Sequence, residues 1–326
     1  MISEKILRSF ENSKILVTGG TGLIGRQAVK ILCDASAKVT IVSLDNVNVD
    51  NRAEHILGDL CDFKFCKDIC KDQDYVLHLA GIKGSIEVSK TMTASHFVPT
   101  LMMNTNMLEA IRLCKVKKAV YTSSIGAYPN AEIFEESEKY NNPPMDFAGW
   151  AKRMGELQVK AYLEQYGQNN IAIVRPSNVY GPGDNFDPNN AMVIASLLGR
   201  IARGEAPLKV WGDGKAKRDF LFSRDAAKGV ILAMYHGTGG DFINLGSGKG
   251  TSIADLVKAM QQFIDFEYIF DTSKPSGAPL KIMNITRAET QLGFKVETDL
   301  VDGLKETWNW FIENTDEHLK KKNYFL

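Results

Sequence analysis

Cysteine is scarce in this 326-residue sequence and does not occur in metal-binding pairs. The five cysteines are odd in number, and none belongs to a CxxC motif. This spacing argues against a disulfide framework and against a zinc site. Three of them, Cys61, Cys66 and Cys70, fall on a segment of helical character, where cysteines more often pack than bind metal. We therefore expect no metal site.

The sequence also lacks an excess of charge and a long apolar run. Lys and Arg together number 39, as do Asp and Glu, so the formal net charge is zero. A balanced charge gives no indication of a nucleic acid or an acidic membrane surface as a partner. Charged residues interrupt every apolar stretch well short of bilayer-spanning length, and the first residues contain no signal-peptide core. These absences predict a cytoplasmic protein.

A glycine-rich turn joins a predicted strand to a predicted helix near the N-terminus. Residues 14–17 form an apolar run, and residues 26–32 carry apolar side chains at helical spacing. In a dinucleotide-binding turn, Gly19 would permit the tight turn, Gly22 would let the backbone approach a pyrophosphate, and Gly25 would let the helix lie against the sheet. The helix N-terminus would present free N–H groups and its positive dipole to the phosphates.

A carboxylate follows the second predicted strand, residues 38–42. Asp45 lies about twenty residues beyond Gly25, where an acidic side chain accepts the ribose hydroxyls of NAD. A carboxylate there would repel the 2′-phosphate of NADP, so the sequence favours NAD. The alternative is that Asp45 is a turn carboxylate preceding Asn46.

Strands and helices alternate through the first half of the chain, which predicts an α/β fold with a doubly wound parallel sheet. Ligands of such sheets collect at the carboxyl ends of the strands. Ser124 follows the predicted strand 118–122 at such an end, and its hydroxyl suits a substrate alcohol or, alternatively, a local cap. Lys83, in the loop after the predicted strand at 74–80, could reach a phosphate or a sugar of a bound ligand, or be an ordinary solvated lysine. His78 lies within an apolar strand and is predicted to be buried and hydrogen-bonded rather than catalytic.

The alternation becomes irregular in the second half. Residues 130–146 are polar and contain two adjacent prolines, which predicts an exposed loop. We expect residues 1–177 to form a dinucleotide-binding domain that also receives about 224–248. Residues 178–223 and 249–326 would form a smaller lobe, with a ligand cleft between the two parts.

An ordered set of short motifs runs along nearly the whole chain. They are Thr18-Gly19-Gly20-Thr21-Gly22-Leu23-Ile24-Gly25, Gly58-Asp59-Leu60, His78-Leu79-Ala80-Gly81, Thr122-Ser123-Ser124, Arg175-Pro176-Ser177-Asn178-Val179-Tyr180-Gly181-Pro182, and Trp211-Gly212-Asp213-Gly214 with Arg218-Asp219-Phe220. Together they resemble the extended short-chain dehydrogenases/reductases that modify nucleotide sugars, a family that includes UDP-galactose 4-epimerase, the sugar 4,6-dehydratases and GDP-fucose synthase.

The resemblance implies a Rossmann sheet with a smaller C-terminal substrate lobe, NAD as the cofactor and a nucleotide-sugar substrate. Likeness of the later half to GDP-fucose synthase favours a GDP-linked sugar. The implied cofactor contacts are Gly19, Gly22, Leu23, Ile24, Gly25, Asp45, Asn46, Asp59, Leu60, Leu79, Ala80, Gly81, Lys152 and Pro176. Ser124 would bond the sugar, and Lys152 would also hold the nicotinamide ribose.

Asn178 and Arg218 would bind the substrate's diphosphate. The paired N–H donors of the Arg218 guanidinium match the oxygens of a phosphate. The alternative for Arg218 is an ion pair between the lobes. The helices predicted at 97–113 and from Phe147 resemble the pair through which family members form homodimers.

The sequence departs from the family at the catalytic tyrosine. The family pattern is Tyr-x-x-x-Lys, with tyrosine as the acid/base on the sugar hydroxyl, but four residues before Lys152 stands Ala148. Phe147 has no hydroxyl either. Either a tyrosine has been changed deliberately, or the natural enzyme takes its proton elsewhere. The candidate substitutes are Tyr128, Asp146, Lys83 and a water held by Ser124.

Other departures restrict the reaction. Ile125 and Gly126 stand where the dehydratases carry an Asp-Glu pair and fucose synthase a cysteine, and the latter's histidine falls on Met192. The arginine expected after Pro279 is Leu280, with Lys281 beside it. The leading interpretation is an NAD-dependent enzyme that moves a hydride between a nucleotide-linked sugar, at C4, and nicotinamide, as a 4-epimerase or 4-dehydrogenase. The rival interpretation is an NAD-binding module whose catalytic activity is impaired or absent.

Overall fold

The computed structural model describes residues 2–82, 84–138, 140–187, 190–315 and 317. The strands are β1 (Lys14–Thr18), β2 (Lys38–Ser43), β3 (Glu54–Leu57), β4 (Tyr75–His78), β5 (Lys118–Thr122), β6 (Ile133–Phe134), β7 (Ile171–Pro176), β8 (Asn178–Tyr180), β9 (Leu208–Trp211), β10 (Lys217–Arg218), β11 (Phe220–Phe222), β12 (Phe242–Leu245), β13 (Thr251–Ser252), β14 (Tyr268–Asp271) and β15 (Leu280–Met283).

The helices are α1 (Glu4–Arg8), α2 (Gly25–Asp34), α3 (Phe63–Cys70), α4 (Ile86–Thr91), α5 (Thr93–Leu113), α6 (Phe147–Tyr166), α7 (Val193–Ala202), α8 (Ser223–His236), α9 (Ile253–Gln261), α10 (Thr286–Leu292) and α11 (Leu300–Glu313), with a 3-10 turn at Ile125–Ala127. Helix α5 begins four residues before the predicted Phe97 and contains Pro99 within its first turns. In the described part of the chain, no helix is both long and apolar enough to cross a bilayer.

A seven-stranded sheet with the order β12-β7-β5-β4-β1-β2-β3 forms the larger lobe. Every neighbouring pair is parallel, which confirms the predicted doubly wound α/β fold. Both faces are covered, by α2 and α8 on one side and by α3, α5 and α6 on the other. Strands buried on both faces read as continuous apolar runs, as β1 and β7 do. The strand order reverses between β1 and β4, where such sheets bind ligands.

Outside the large sheet lie a four-stranded sheet, β13-β10-β15-β6, and two strand pairs, β11-β8 and β14-β9; we call this part the smaller lobe. Helices α7, α9 and α11 enclose a separate apolar core here, whereas Phe134 and Met283 of the four-stranded sheet pack into the core beside the large sheet. Strand β6 interrupts residues 130–146. The described part of this range otherwise contains no helix or strand and is largely exposed, so the predicted exposed loop is confirmed except at β6 and at a few buried positions. Phe134 pairs in register with Met283 of β15 and is buried, and Glu136 is buried as well. A two-residue strand that pairs with a distant segment leaves no periodic signal in a polar, proline-containing sequence.

Candidate active site

The glycine turn after β1 is closed by contacts that only glycine allows. Gly19 has φ +67°, and a Cβ on it would lie 2.8 Å from Ala80 Cα. A Cβ on Gly25 would overlap the carbonyl oxygen of Gly19. The amide of Gly22 donates to that same carbonyl at 2.9 Å. The turn therefore lies directly against the segment that follows β4, and α2 starts as close to the turn as a backbone can come.

The N-terminus of α2 fits the pyrophosphate of a dinucleotide. Ile24 occupies the capping position without a side-chain hydrogen bond, and the first turn carries no acidic residue. The leading N–H groups of a helix have no partner within it. The Arg26 amide donates to Gly22 O at 3.0 Å, and no described side chain caps this end, so the amides of Ile24, Gly25 and Gln27 remain for a ligand. A Cβ on Gly22 would meet only Gly19 O, at 3.1 Å, so the space beside it is open. Free donors, a positive dipole and an open approach are the requirements of an anion site.

The predicted adenosine contacts lie at the carboxyl ends of β2 and β3. Asp45 is half-buried two residues beyond β2, and its carbonyl accepts a hydrogen bond from Ser43 Oγ at 2.7 Å. The same hydroxyl lies 2.6 Å from His55 Nε2. Burial lowers the pKa of His55, although the nearby charge of Asp45 acts in the opposite direction. At the end of β3, Leu60 is buried and Asp59 accepts the amide of Cys61 at 2.9 Å.

The prediction for His78 is confirmed. The ring is fully buried, with Nδ1 2.8 Å from Thr18 Oγ1 and Nε2 3.0 Å from Asn104 Oδ1. Burial, reinforced by the charge of Lys152, lowers its pKa to about 3. Thr18 in turn accepts the amide of Ala80 at 3.3 Å, so His78 fixes the turn after β4. Lys83, predicted in the next loop, lies outside the described residues.

Ser124 lies at the carboxyl end of β5, as predicted, and is half-buried. Its Oγ accepts the amide of Gly126 at 3.1 Å, which starts the 3-10 turn. A Cβ on Gly149 would overlap the carbonyl of Gly126, so the first turn of α6 is seated on the serine turn. Asp146 caps α6 by accepting the Gly149 amide at 2.7 Å. Ser124 therefore does have the local capping role, and among the described residues no acceptor takes its hydroxyl proton, which can donate to a ligand.

Lys152 connects the ends of two central strands. Its Nζ donates to the carbonyl of Thr122 on β5 at 2.8 Å, and a Cβ built on Gly81, just after β4, would lie 3.4 Å from it. The ring of Tyr121 lies 5.6 Å away. Burial lowers the pKa of Lys152 to about 8. Ala148, one helical turn earlier, is also half-buried and offers no titratable group.

Tyr128 does not fit the role of substitute base. It is buried, and its hydroxyl donates to Asn244 Oδ1 at 2.9 Å. Burial raises its pKa, which makes the phenolate scarcer still. A buried tyrosine whose hydroxyl is hydrogen-bonded to an amide side chain is part of the core, so the prediction of Tyr128 as a substitute base is wrong.

Sequence reasoning missed a buried ionic cluster beside Lys152. Glu156, one turn further along α6, accepts two hydrogen bonds from Arg175 on β7, at 2.7 and 2.6 Å. Both side chains are fully buried. Glu156 also accepts the hydroxyl of Ser123. The i, i+4 spacing from Lys152 was a signal that could have placed Glu156 on the same helix face.

The predicted diphosphate contacts lie together in the smaller lobe. Asn178 Nδ2 donates to Asp219 O at 3.0 Å, and Arg218 Nη1 donates to Ala278 O at 2.7 Å. In the parallel pairing of β10 with β15, Arg218 is opposite Lys281, a residue without a predicted role. Within the described ranges, no carboxylate lies at ion-pair distance from Arg218 or Lys281, so an ion pair between the lobes finds no partner.

The two cations repel each other and are partly withdrawn from water. Burial lowers the pKa of Arg218, and burial together with Arg218 lowers that of Lys281, against the opposing charge of Asp146. The neighbouring Asp219 holds the strands in place, because its buried carboxylate accepts amides from Ser247 at 2.7 Å and Met283 at 3.2 Å. The pair is therefore a fixed, incompletely solvated positive site.

Comparison with known proteins agrees with this arrangement. A family model described as the NAD dependent epimerase/dehydratase family matches residues 15–246. A putative UDP-glucose 4-epimerase of Methanocaldococcus jannaschii is 33% identical over 316 residues, covering 92% of this chain and 99% of its own length. A probable GDP-L-fucose synthase 1 of Oryza sativa subsp. japonica is 30% identical over 318 residues, covering 93% of each.

Solved structures extend the likeness to the whole fold. The crystal structure of a UDP-glucose 4-epimerase from Thermotoga maritima with UDP-glucose has a TM-score of 0.80 at 27% identity, covering 93% of this chain and 99% of that one. The dinucleotide turn, the open helix N-terminus and the parallel sheet are the parts that a shared cofactor requires. The chain belongs to the NAD-dependent epimerase/dehydratase family, and its cofactor is NAD.

Proposed function

We propose that the protein oxidises or epimerises a nucleotide-linked sugar at C4, as a 4-epimerase or a 4-dehydrogenase. The observation that carries the proposal is the adjoining pair Arg218 and Lys281. A guanidinium and an ammonium side by side suit the two phosphates of a nucleoside diphosphate. A protein that only sensed NAD would have no need of a second anion site.

The residues of the larger lobe would divide the work of binding and orientation. When bound, NAD supplies the acceptor and donor of a hydride. The α2 N-terminus with Gly22 would hold its pyrophosphate, and Asp45 its adenosine ribose. Ser124 would donate its hydroxyl proton to the sugar oxygen and so fix the reacting carbon. Lys152 would hold the nicotinamide ribose.

We propose a GDP-linked sugar, because one relative of high coverage is a probable GDP-L-fucose synthase. A putative UDP-glucose 4-epimerase is as similar, so UDP-sugars form the main comparison. We also propose a cytoplasmic homodimer. Helices α5 and α6 pack against each other and leave apolar side chains exposed, among them Val98, Met102, Phe147 and Met154. Sedimentation equilibrium of the purified protein should give twice the mass of one chain.

The decisive experiment measures binding and turnover separately. Calorimetry with NAD and with GDP-, UDP-, CDP- and dTDP-sugars should show binding of both ligands, and absorbance of NADH or a change in sugar configuration should follow. Arg218→Ala or Lys281→Ala should weaken nucleotide-sugar binding by about 10-fold or more, since a charged hydrogen bond contributes about 1.5–3 kcal/mol. Affinity for NAD should not change.

Lys215→Ala is the matched control, because Lys215 lies on the same lobe with its side chain 88% exposed. It should leave both affinities unchanged. Tight NAD binding without any nucleotide-sugar binding would instead support the non-catalytic NAD-binding module.

A further inference from the structure

The first turns of α6 leave a gap in the family's acid/base machinery. On a helix, residues four apart share a face, so a side chain at position 148 reaches towards the place occupied by Lys152. Ala148 ends at its Cβ, and Phe147 before it is largely exposed. The proton of the sugar hydroxyl must therefore go to another group at the carboxyl ends of β4 and β5.

Lys152 is a titratable side chain that the described fold holds at this position, whereas the other described candidate, Asp146, is exposed and its carboxylate accepts the Gly149 amide. Among the described residues its Nζ makes one hydrogen bond, to the carbonyl of Thr122, and no carboxylate lies within ion-pair distance. Ser124, which would bond the same sugar oxygen, follows Thr122 by two residues on the same strand end. The amine has no other bond that would have to break before it reached a ligand.

We propose that the Nζ of Lys152 is the proton acceptor for the sugar hydroxyl, in place of the tyrosine that this chain lacks. The proposal rests on the proposed function. The neutral amine takes the proton of the sugar hydroxyl. At the same time the C–H bond of the carbon that bears this hydroxyl breaks, and the hydrogen leaves with both electrons of that bond as a hydride to the nicotinamide. A C=O bond forms, and the lysine becomes an ammonium ion. In the reverse direction the ammonium returns the proton to the carbonyl oxygen as the hydride comes back.

The surroundings of Lys152 make the neutral amine available. Burial lowers its pKa to about 8, and Glu156, one turn further on α6, opposes that change. The other groups that face it carry no charge near neutral pH, because burial lowers the pKa of His78 on β4 and of His96 on α5, and raises that of Tyr121 on β5. At pH 7 about a tenth of Lys152 would be neutral, against less than about a thousandth of an exposed lysine.

The first test needs neither cofactor nor substrate. Competitive acetylation of the whole protein over a range of pH, read by mass spectrometry of each lysine peptide, reports the pKa of each amine. The pKa of the Lys152 amine should lie near 8. A value near that of lysine in model peptides, about 10.4, would overturn the proposal.

The second test separates a base from a residue that only holds the ribose. NADH formation by the wild-type protein should rise with pH through about 8. Lys152→Ala should lose at least about 100-fold in turnover, and methylamine or ethylamine should restore part of it in proportion to the concentration of free amine. NAD affinity, followed by calorimetry, should not change with added amine. No rescue at saturating NAD would overturn the proposal.

A tyrosine restored at position 148 provides the matched control. In the variant Ala148→Tyr with Lys152→Ala, the phenol can take the proton, so turnover should not depend on added amine. If Ala148→Tyr alone turned over a nucleotide sugar that the wild type does not, the proposed function would stand and Lys152 would not be the base. If neither protein turned over or bound any nucleotide sugar, the proposed function itself would fail, while the acetylation result would still report on the amine.

Discussion

Neutralising Glu156 should destabilise the larger lobe by several kcal/mol. The carboxylate and Arg175 are both fully buried and joined by two hydrogen bonds, and the guanidinium carbon lies 3.5 Å from the centre of the Phe242 ring. Glu156→Gln keeps the shape but removes the charge and turns an NH₂ group towards the guanidinium. An ion left buried without its partner costs about 3–5 kcal/mol. That is a large part of the roughly 5–15 kcal/mol that stabilises a typical domain.

Urea unfolding, followed by circular dichroism, measures this loss. The control is Glu306→Gln, which breaks the exposed pair with Arg224, whose side chains are 41% and 40% exposed. Exposed pairs contribute about 0–1 kcal/mol, so this variant should unfold almost as the wild type does. Replacing both buried ions, with Glu156→Leu and Arg175→Met, should recover much of the loss because no charge is then left unpaired. Equal losses for Glu156→Gln and Glu306→Gln would refute the reasoning.

Two further predictions concern the cofactor turn and its support. Gly25→Ala should lower both stability and NAD affinity, since its Cβ would overlap Gly19 O. Gly22→Ala, whose Cβ would lie 3.1 Å from the same oxygen, should lower NAD affinity with a smaller loss of stability. Equal losses of stability in urea unfolding, or an unchanged NAD affinity in calorimetry, would contradict this reasoning. The pKa of His78 is about 3 in the folded protein and about 6.5 in the unfolded chain. The unfolded chain therefore takes up the proton first as the pH falls below about 6.5, and the free energy of unfolding should drop by about 2 kcal/mol by pH 5. His78→Gln should flatten that part of the stability-pH curve, and an unchanged slope would contradict the assignment.

The parts of the fold that the sequence predicted are those with a local signal. The turn from β1 to α2 is read from consecutive residues, because glycine spacing and apolar periodicity lie within one short segment. The burial of His78 followed from the apolar strand around it. Strand β6 was missed because its stabilisation comes from β15, nearly 150 residues away in sequence. No local pattern records a pairing over that distance.

The candidate site shows the same division. Ser124 and Lys152 could be placed at a strand end and on a helix from motifs alone. The ion pair of Glu156 with Arg175 joins α6 to β7, and the neighbours of Arg218 come from β15, so neither could be derived from one stretch of residues. Tyr128 was misjudged for a related reason, since its partner Asn244 lies on β12.

The cost of the cation pair favours the proposed enzyme over a bare cofactor sensor. Arg218 and Lys281 lie opposite each other on adjacent strands, where like charges destabilise a sheet, and burial withdraws part of their hydration. Within the described chain no carboxylate lies close enough to neutralise either one. Binding a diphosphate would remove the repulsion and replace the lost water with charged hydrogen bonds. The lobe is thus least stable empty and gains most from an anion, as expected of a substrate site.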